Sequence, residues 1–100
     1  MDDPPTAIFT CNDLMAYGVM HAAVEKKINC PDDLSIVGFD DIYLSTYINP
    51  PLTTIKQPRI EMGDEAVFSL IQRIKNPGRL ARNIILEAEL VVRSSTKKVK

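Results

Sequence analysis

The sequence predicts an α/β fold, and three observations carry that prediction. Short apolar runs rich in β-formers alternate with segments that tolerate a helix, in the order β-α-β-loop-β-α-β. The first strand, helix and second strand fall within ~35 residues, the span of a right-handed βαβ unit with parallel strands. Both strands are short apolar runs, the first bounded upstream by Pro4-Pro5, and read as buried.

Residues 6–10 (Thr-Ala-Ile-Phe-Thr) follow Pro4-Pro5 and read as a buried strand. Asn12 and Asp13 come next, and Asp13 is expected to cap the helix that follows. That helix should run over residues 14–27 and stop at Asn29, before Pro31. Leu14, Met15, Ala16, Tyr17, Val19, Met20, Ala22, Ala23 and Val24 leave it almost no polar side in its first turns. A helix lying on a surface shows one apolar stripe, so this one is expected to meet a sheet on one side and a second partner on the other. Residues 34–39 (Leu-Ser-Ile-Val-Gly-Phe) form the second strand, ending at Asp40-Asp41. Residues 42–51 are irregular, and Asn49-Pro50-Pro51 keeps any helix from continuing. Residues 53–57 read as a third strand from their β-branched residues.

A second helix is predicted over residues 59–75, with Ile60, Gly63, Val67, Leu70, Ile71 and Ile74 on one face. Its acids, Glu61, Asp64 and Glu65, sit early and its bases, Arg73 and Lys75, sit late, as the helix dipole favours. Asn76-Pro77-Gly78 stops it, residues 84–93 suggest a last strand, and residues 94–100 read as a polar, frayed tail. Two helices are thin cover for a parallel sheet, which points to a part of something larger.

Bulk properties narrow the function. The chain has 100 residues, 45% of them apolar and 25% charged, with a net charge of −1. That balance supplies no field to hold a polyanion. No apolar run approaches the ~20 residues that span a bilayer, so no membrane partner is expected. The N-terminus is acidic and broken by prolines, unlike a signal peptide. Cys11 and Cys30 are too few for a disulfide scaffold and suggest a reducing, cytoplasmic setting.

In open parallel sheets, ligands lie beyond the carboxyl ends of the strands. Here those ends carry Cys11-Asn12-Asp13, then Asp40-Asp41, then Gln57. Amide and carboxylate side chains offer donors and acceptors suited to a hydroxyl-rich or heterocyclic ligand. With Asp13 assigned to the helix cap, Asn12 and Asp40 are the preferred ligand groups. Catalysis fits poorly. Cys11 and His21 are separated by a mostly helical stretch of roughly 15 Å, too far for a nucleophile and its base. Cys11, His21 and Cys30 fail as a metal site for the same reason, and the glycines are too scattered for a phosphate loop. No enzyme activity, cofactor or metal is expected.

The motifs together resemble one family. Ile8-Phe9-Thr10-Cys11-Asn12-Asp13-Leu14-Met15-Ala16-Tyr17-Gly18 is similar to the strand-Asn-Asp-x-Met-Ala-x-Gly segment of lactose-repressor/galactose-repressor (LacI/GalR) type transcription regulators. Pro31-Asp32-Asp33-Leu34-Ser35-Ile36-Val37-Gly38-Phe39-Asp40-Asp41 resembles their Pro-x-Asp-Leu-Ser-Val-Val-Gly-Phe-Asp-Asp stretch. Pro50-Pro51-Leu52-Thr53-Thr54-Ile55-Lys56-Gln57-Pro58, followed by Gly63 and Ala66, resembles a third signature, and residues 89–96 resemble the closing strand.

The resemblance implies the C-terminal part of a two-lobed, periplasmic-binding-protein-like (type I) sensor domain. Residues 1–56 and 89–100 then belong to the C-terminal lobe and residues 57–88 to the N-terminal lobe. It implies a small-molecule effector, a carbohydrate or nucleoside-like compound, contacted by Asn12 and Asp40 with Gln57 near the cleft. It also implies a homodimer through the C-terminal lobe, with Met15, Tyr17, Val19, Met20 and Ala23 at the interface. Operator DNA would be read only by a helix-turn-helix headpiece, which is absent from this stretch, and the stretch alone is expected to bind effector negligibly. The rival expectations are a periplasmic sugar-binding protein of an ABC transporter, which would need a polar first helix, and an inactive fragment.

Overall fold

The computed structural model describes residues 3–99. Met1 and Asp2 of the acidic N-terminus and Lys100 of the basic tail lie outside the described residues. The elements follow the predicted order: β1 (Ala7–Phe9), α1 (Asp13–Glu25), β2 (Ser35–Val37), a 3-10 turn (Tyr43–Thr46), β3 (Thr54–Lys56), α2 (Arg59–Lys75) and β4 (Glu89–Val91). β1 and β2 pair in parallel, with Ala7 opposite Ser35, Ile8 opposite Ile36 and Phe9 opposite Val37. Parallel bridges from Val37 to Thr53 and from Asp40 to Lys56 carry the pairing on to β3, and β3 pairs with β4.

The chain divides into two compact units, residues 3–56 with 90–99, and residues 57–89. In the first, Ala16, Met20, Leu34, Ile36 and Leu52 form a buried core, with Ile8, Tyr17, Val19, Cys30 and Ile48 packed against it. Ala16, Met20 and Ala23 recur at helical spacing, so α1 turns one face to β2. In the second unit α2 buries none of its residues, although its apolar residues lie on one stripe as predicted.

Four expectations are corrected. Asn12, not Asp13, caps α1: its Oδ1 accepts the Met15 N–H at 2.8 Å, and its extended backbone suits a cap. α1 ends at Glu25 because Lys27 turns to φ 58°, bringing the Ile28 N–H to the Ala23 carbonyl and its own N–H to Val24. β2 covers only Ser35–Val37 of the expected 34–39, and past it Asp40 and Asp41 turn to φ 117° and 56°. The last strand is only Glu89–Val91, whereas the tail after it is docked rather than frayed.

Ser95 does much of that docking. Its buried hydroxyl donates to the Ile36 carbonyl at 2.5 Å and accepts the Thr53 N–H at 2.8 Å, while the Ser95 carbonyl accepts the Ile36 N–H at 2.9 Å. One side chain thus satisfies backbone groups of two sheet segments, which buried polar atoms require. Lys97 adds a bond from its N–H to Ser35 Oγ at 3.0 Å and an exposed ion pair with Asp32 at 3.2 Å.

Candidate functional site

The candidate site lies at the carboxyl ends of β1 and β2, and it is assembled around a side chain assigned beforehand only to capping. Asp13 is fully buried. Its Oδ1 accepts the Thr54 hydroxyl at 2.6 Å, and its Oδ2 accepts the Ile42 N–H at 2.9 Å and the Ser45 hydroxyl. Ser45 spends its proton on Asp13, so it accepts from the Tyr17 hydroxyl at 3.0 Å. Hydrogen bonds to a carboxylate are the strong kind, and the first turn of α1 adds a favourable dipole. Asp13 therefore fixes the N-terminus of α1, the turn after Asp41 and the first residue of β3 to one another.

Gly38 makes this possible. A Cβ there would collide with Asp13 Oδ1 and come 2.8 Å from the Leu52 side chain. Only glycine allows the strand to pass so close to the carboxylate.

On this base sit the two preferred ligand groups. Asn12, half-buried, uses its Oδ1 for the cap, which leaves the amide NH2 as the half of the side chain that can donate elsewhere. Asp40, also half-buried, is held through its backbone, with its N–H donating to the Ile55 carbonyl at 2.9 Å. Its neighbour Asp41 accepts from Arg93 Nη2 at 2.7 Å, and the same guanidinium donates from Nη1 to the Leu52 carbonyl at 2.9 Å. Asn12 and Asp40 belong to the first unit, whereas Gln57 is the first residue of the second. The structure thus places two of the three candidates at one edge, on a shared framework.

The expected partner-facing residues of α1 separate. Met20 and Ala23 point into the core of their own unit, and Tyr17 and Val19 pack against its margin. Met15 is exposed, together with Leu14 and Val24, which had not been singled out. His21 pairs with Glu25 at 3.2 Å on the exposed side of the helix.

Further along, Tyr43 and Tyr47 stand exposed with ring centroids 5.1 Å apart, and a hydrogen bond between their hydroxyls, with slight desolvation, raises the Tyr43 pKa above its ordinary value. Burial pushes the Cys30 thiol up, and a contact with the Ile36 backbone partly offsets this. Among the described residues no three His, Cys, Asp or Glu side chains group to hold a metal, and no helix is long and apolar enough to cross a membrane.

Sequence reasoning missed Asp13, Ser45, Thr54, Gly38, Arg93 and Ser95 as parts of this framework. The cap was ambiguous by one residue, because Asn and Asp serve about equally well there. The hydroxyls of Thr54 and Ser45 are invisible to periodicity.

The profile of the periplasmic binding protein-like domain family matches residues 1–96. The chain is 48% identical over 91 residues to the ribose operon repressor of Haemophilus influenzae, covering 91% of this chain and 27% of that protein. Among solved structures it is similar to a LacI family transcriptional regulator from Enterococcus faecalis with bound ribose, at a TM-score of 0.91 and 35% identity, covering 98% of this chain and 37% of that one. It also matches the lac repressor dimer bound to operator and an anti-inducer, at a TM-score of 0.83 and 38% identity, covering 92% of this chain and 32% of that one. The chain spans about a third of the length of these relatives.

Proposed function

The chain belongs to the periplasmic binding protein-like domain family, in the form carried by LacI-type transcription regulators, and from that membership we propose that it is the effector-sensing and dimerising segment of such a regulator. The observation that carries the reading is the edge beyond β1 and β2, where Asn12 and Asp40 rest on the Asp13 framework. In this reading Asp40 accepts hydrogen bonds from the hydroxyls of a sugar and Asn12 donates to it through the amide NH2 that its cap leaves over. Ribose is the effector to test first, since it is bound in the similar Enterococcus regulator and its operon names the similar Haemophilus repressor.

An effector that prefers one arrangement of the two lobes shifts the population toward it, and the dimer passes the shift to DNA-binding headpieces. Residues 57–88 then belong to the N-terminal lobe. The dimer forms through the outward side of α1, where Leu14, Met15 and Val24 are exposed alongside the His21–Glu25 pair. That same apolar exposure disfavours a monomeric transport protein, and the setting is cytoplasmic with no catalytic step.

The test is ribose-dependent release of operator by the intact regulator that carries this segment. A hydrogen bond to a charged acceptor contributes about 1.5–3 kcal/mol, so Asp40→Ala should raise the half-effective ribose concentration by over ~10-fold. An unchanged induction curve removes Asp40 from the site.

A further inference from the structure

The geometry points to Arg93 as a positioning residue for the effector, acting through Asp41 to hold Asp40 in its working conformation. This deepens the reading above, since it rests on Asp40 being an effector group. Asp40 and Asp41 both have positive φ, 117° and 56°, a region that residues with a Cβ populate sparsely and that persists only where surroundings impose it. Three contacts do the imposing. The Asp40 N–H is bonded to the Ile55 carbonyl at 2.9 Å, the Ile42 N–H two residues on is bonded to Asp13 at 2.9 Å, and the Asp41 side chain between them is held by Arg93 at 2.7 Å.

Of these, the Arg93 contact is the one made to the side chain of the Asp40-Asp41 pair itself, and Arg93 is in turn held at other points. Its Nη1 donates to the Leu52 carbonyl at 2.9 Å and its backbone N–H donates to Thr53 Oγ1 at 2.9 Å. Arg93 and Asp41 side chains are 17% and 13% exposed, so the pair is shielded from water and little screened. A planar guanidinium can serve a carboxylate and a carbonyl at once, which an ammonium cannot do with the same geometry. Arg93 also lies just past Leu90, where the chain re-enters the first unit, and Lys56, bridged to Asp40, is the last residue before it leaves. Both ends of the excursion are therefore tied to the Asp40-Asp41 pair.

Two readouts test the assignment. In the intact regulator with ribose as probe, Arg93→Met, which keeps the stem, should raise the half-effective concentration about tenfold, and Arg93→Lys should recover part of it. In an Asp40→Ala background the same Arg93→Met change should add less than about twofold, because a residue acting through Asp40 has nothing left to position. A full additional loss in that background, or no loss in the single variant, overturns the role of Arg93 while leaving Asp40 in place. If Asp40→Ala itself has no effect, the effector reading fails instead. Backbone chemical shifts of the 100-residue chain supply the second readout. Arg93→Met should move Asp40, Asp41 and Ile42 away from their positive-φ signature while Ala16 and Ile36 stay unchanged. Undisturbed shifts at Asp40 contradict the proposal whatever the ligand.

Discussion

α1 and α2 differ in a way that runs against their sequences. α2 has the cleaner amphipathic pattern, with Ile60, Val67, Leu70, Ile71 and Ile74 on one stripe, yet it buries no residue among those described. α1 is apolar on nearly every side, yet it buries Asp13, Ala16, Met20 and Ala23 against its own unit. Periodicity therefore reports that a face is meant to be covered, not what covers it. The apolar face of α2 is left uncovered by the described residues. The surplus apolar residues of α1, Leu14, Met15 and Val24, are likewise left exposed.

The contrast can be broken or sharpened by substitution, read as chemical unfolding of the chain. Asp13→Ala should have the largest effect, about 4 kcal/mol, because it strands the Ile42 N–H and the Ser45 and Thr54 hydroxyls in a buried place. Asp13→Asn should recover over half of that, since its carbonyl oxygen still accepts and the Thr54 hydroxyl can turn to accept from the amide. If Asp13→Ala costs no more than a surface change, the buried framework is misassigned.

Next comes a matched pair. Leu52→Ala should cost about 3 kcal/mol from the core of the first unit, whereas Ile71→Ala on α2 should stay within about 0.5 kcal/mol in this chain. Equal losses at the two positions would erase the difference between the units. The smallest effect is a gain: Lys27→Gly should stabilise the chain by about 0.5–1 kcal/mol, because Lys27 closes α1 at φ 58°, where glycine meets no Cβ penalty. A loss there would mean that the Lys27 side chain contributes more than its backbone strain costs.

Much of the fold was legible, for identifiable reasons. α2 was placed over Arg59–Lys75 by its apolar spacing and by Asn76-Pro77-Gly78 after it, a signal that acts locally on the backbone. The core residues Ile36 and Met20 sat in plainly apolar runs. Strand ends were less legible, because pairing depends on a neighbour far along the chain. Gly38 leaves β2 to make room for Asp13, and Ser95 satisfies Ile36 from 59 positions away.

The candidate edge was half legible. Asn12 and Asp40 were found from strand ends, but the Asn12 side chain proved to be the cap and Asp13 the framework. What hid this is that one carboxylate gathers donors from three separate segments, at Ile42, Ser45 and Thr54, and no local pattern encodes such a convergence. The tail was misread because Ser95 looks solvated until its partners are in place.

The first unit, with its candidate edge, holds itself together around a buried core, whereas α2 buries no residue among those described. Native-state hydrogen exchange on the 100-residue chain tests this contrast most directly. The amides of Ala16, Met20 and Ile36 should exchange only through global opening, and those of Leu70 and Ile74 at least ~100-fold faster through local opening. Equal protection in α1 and α2 would contradict the account.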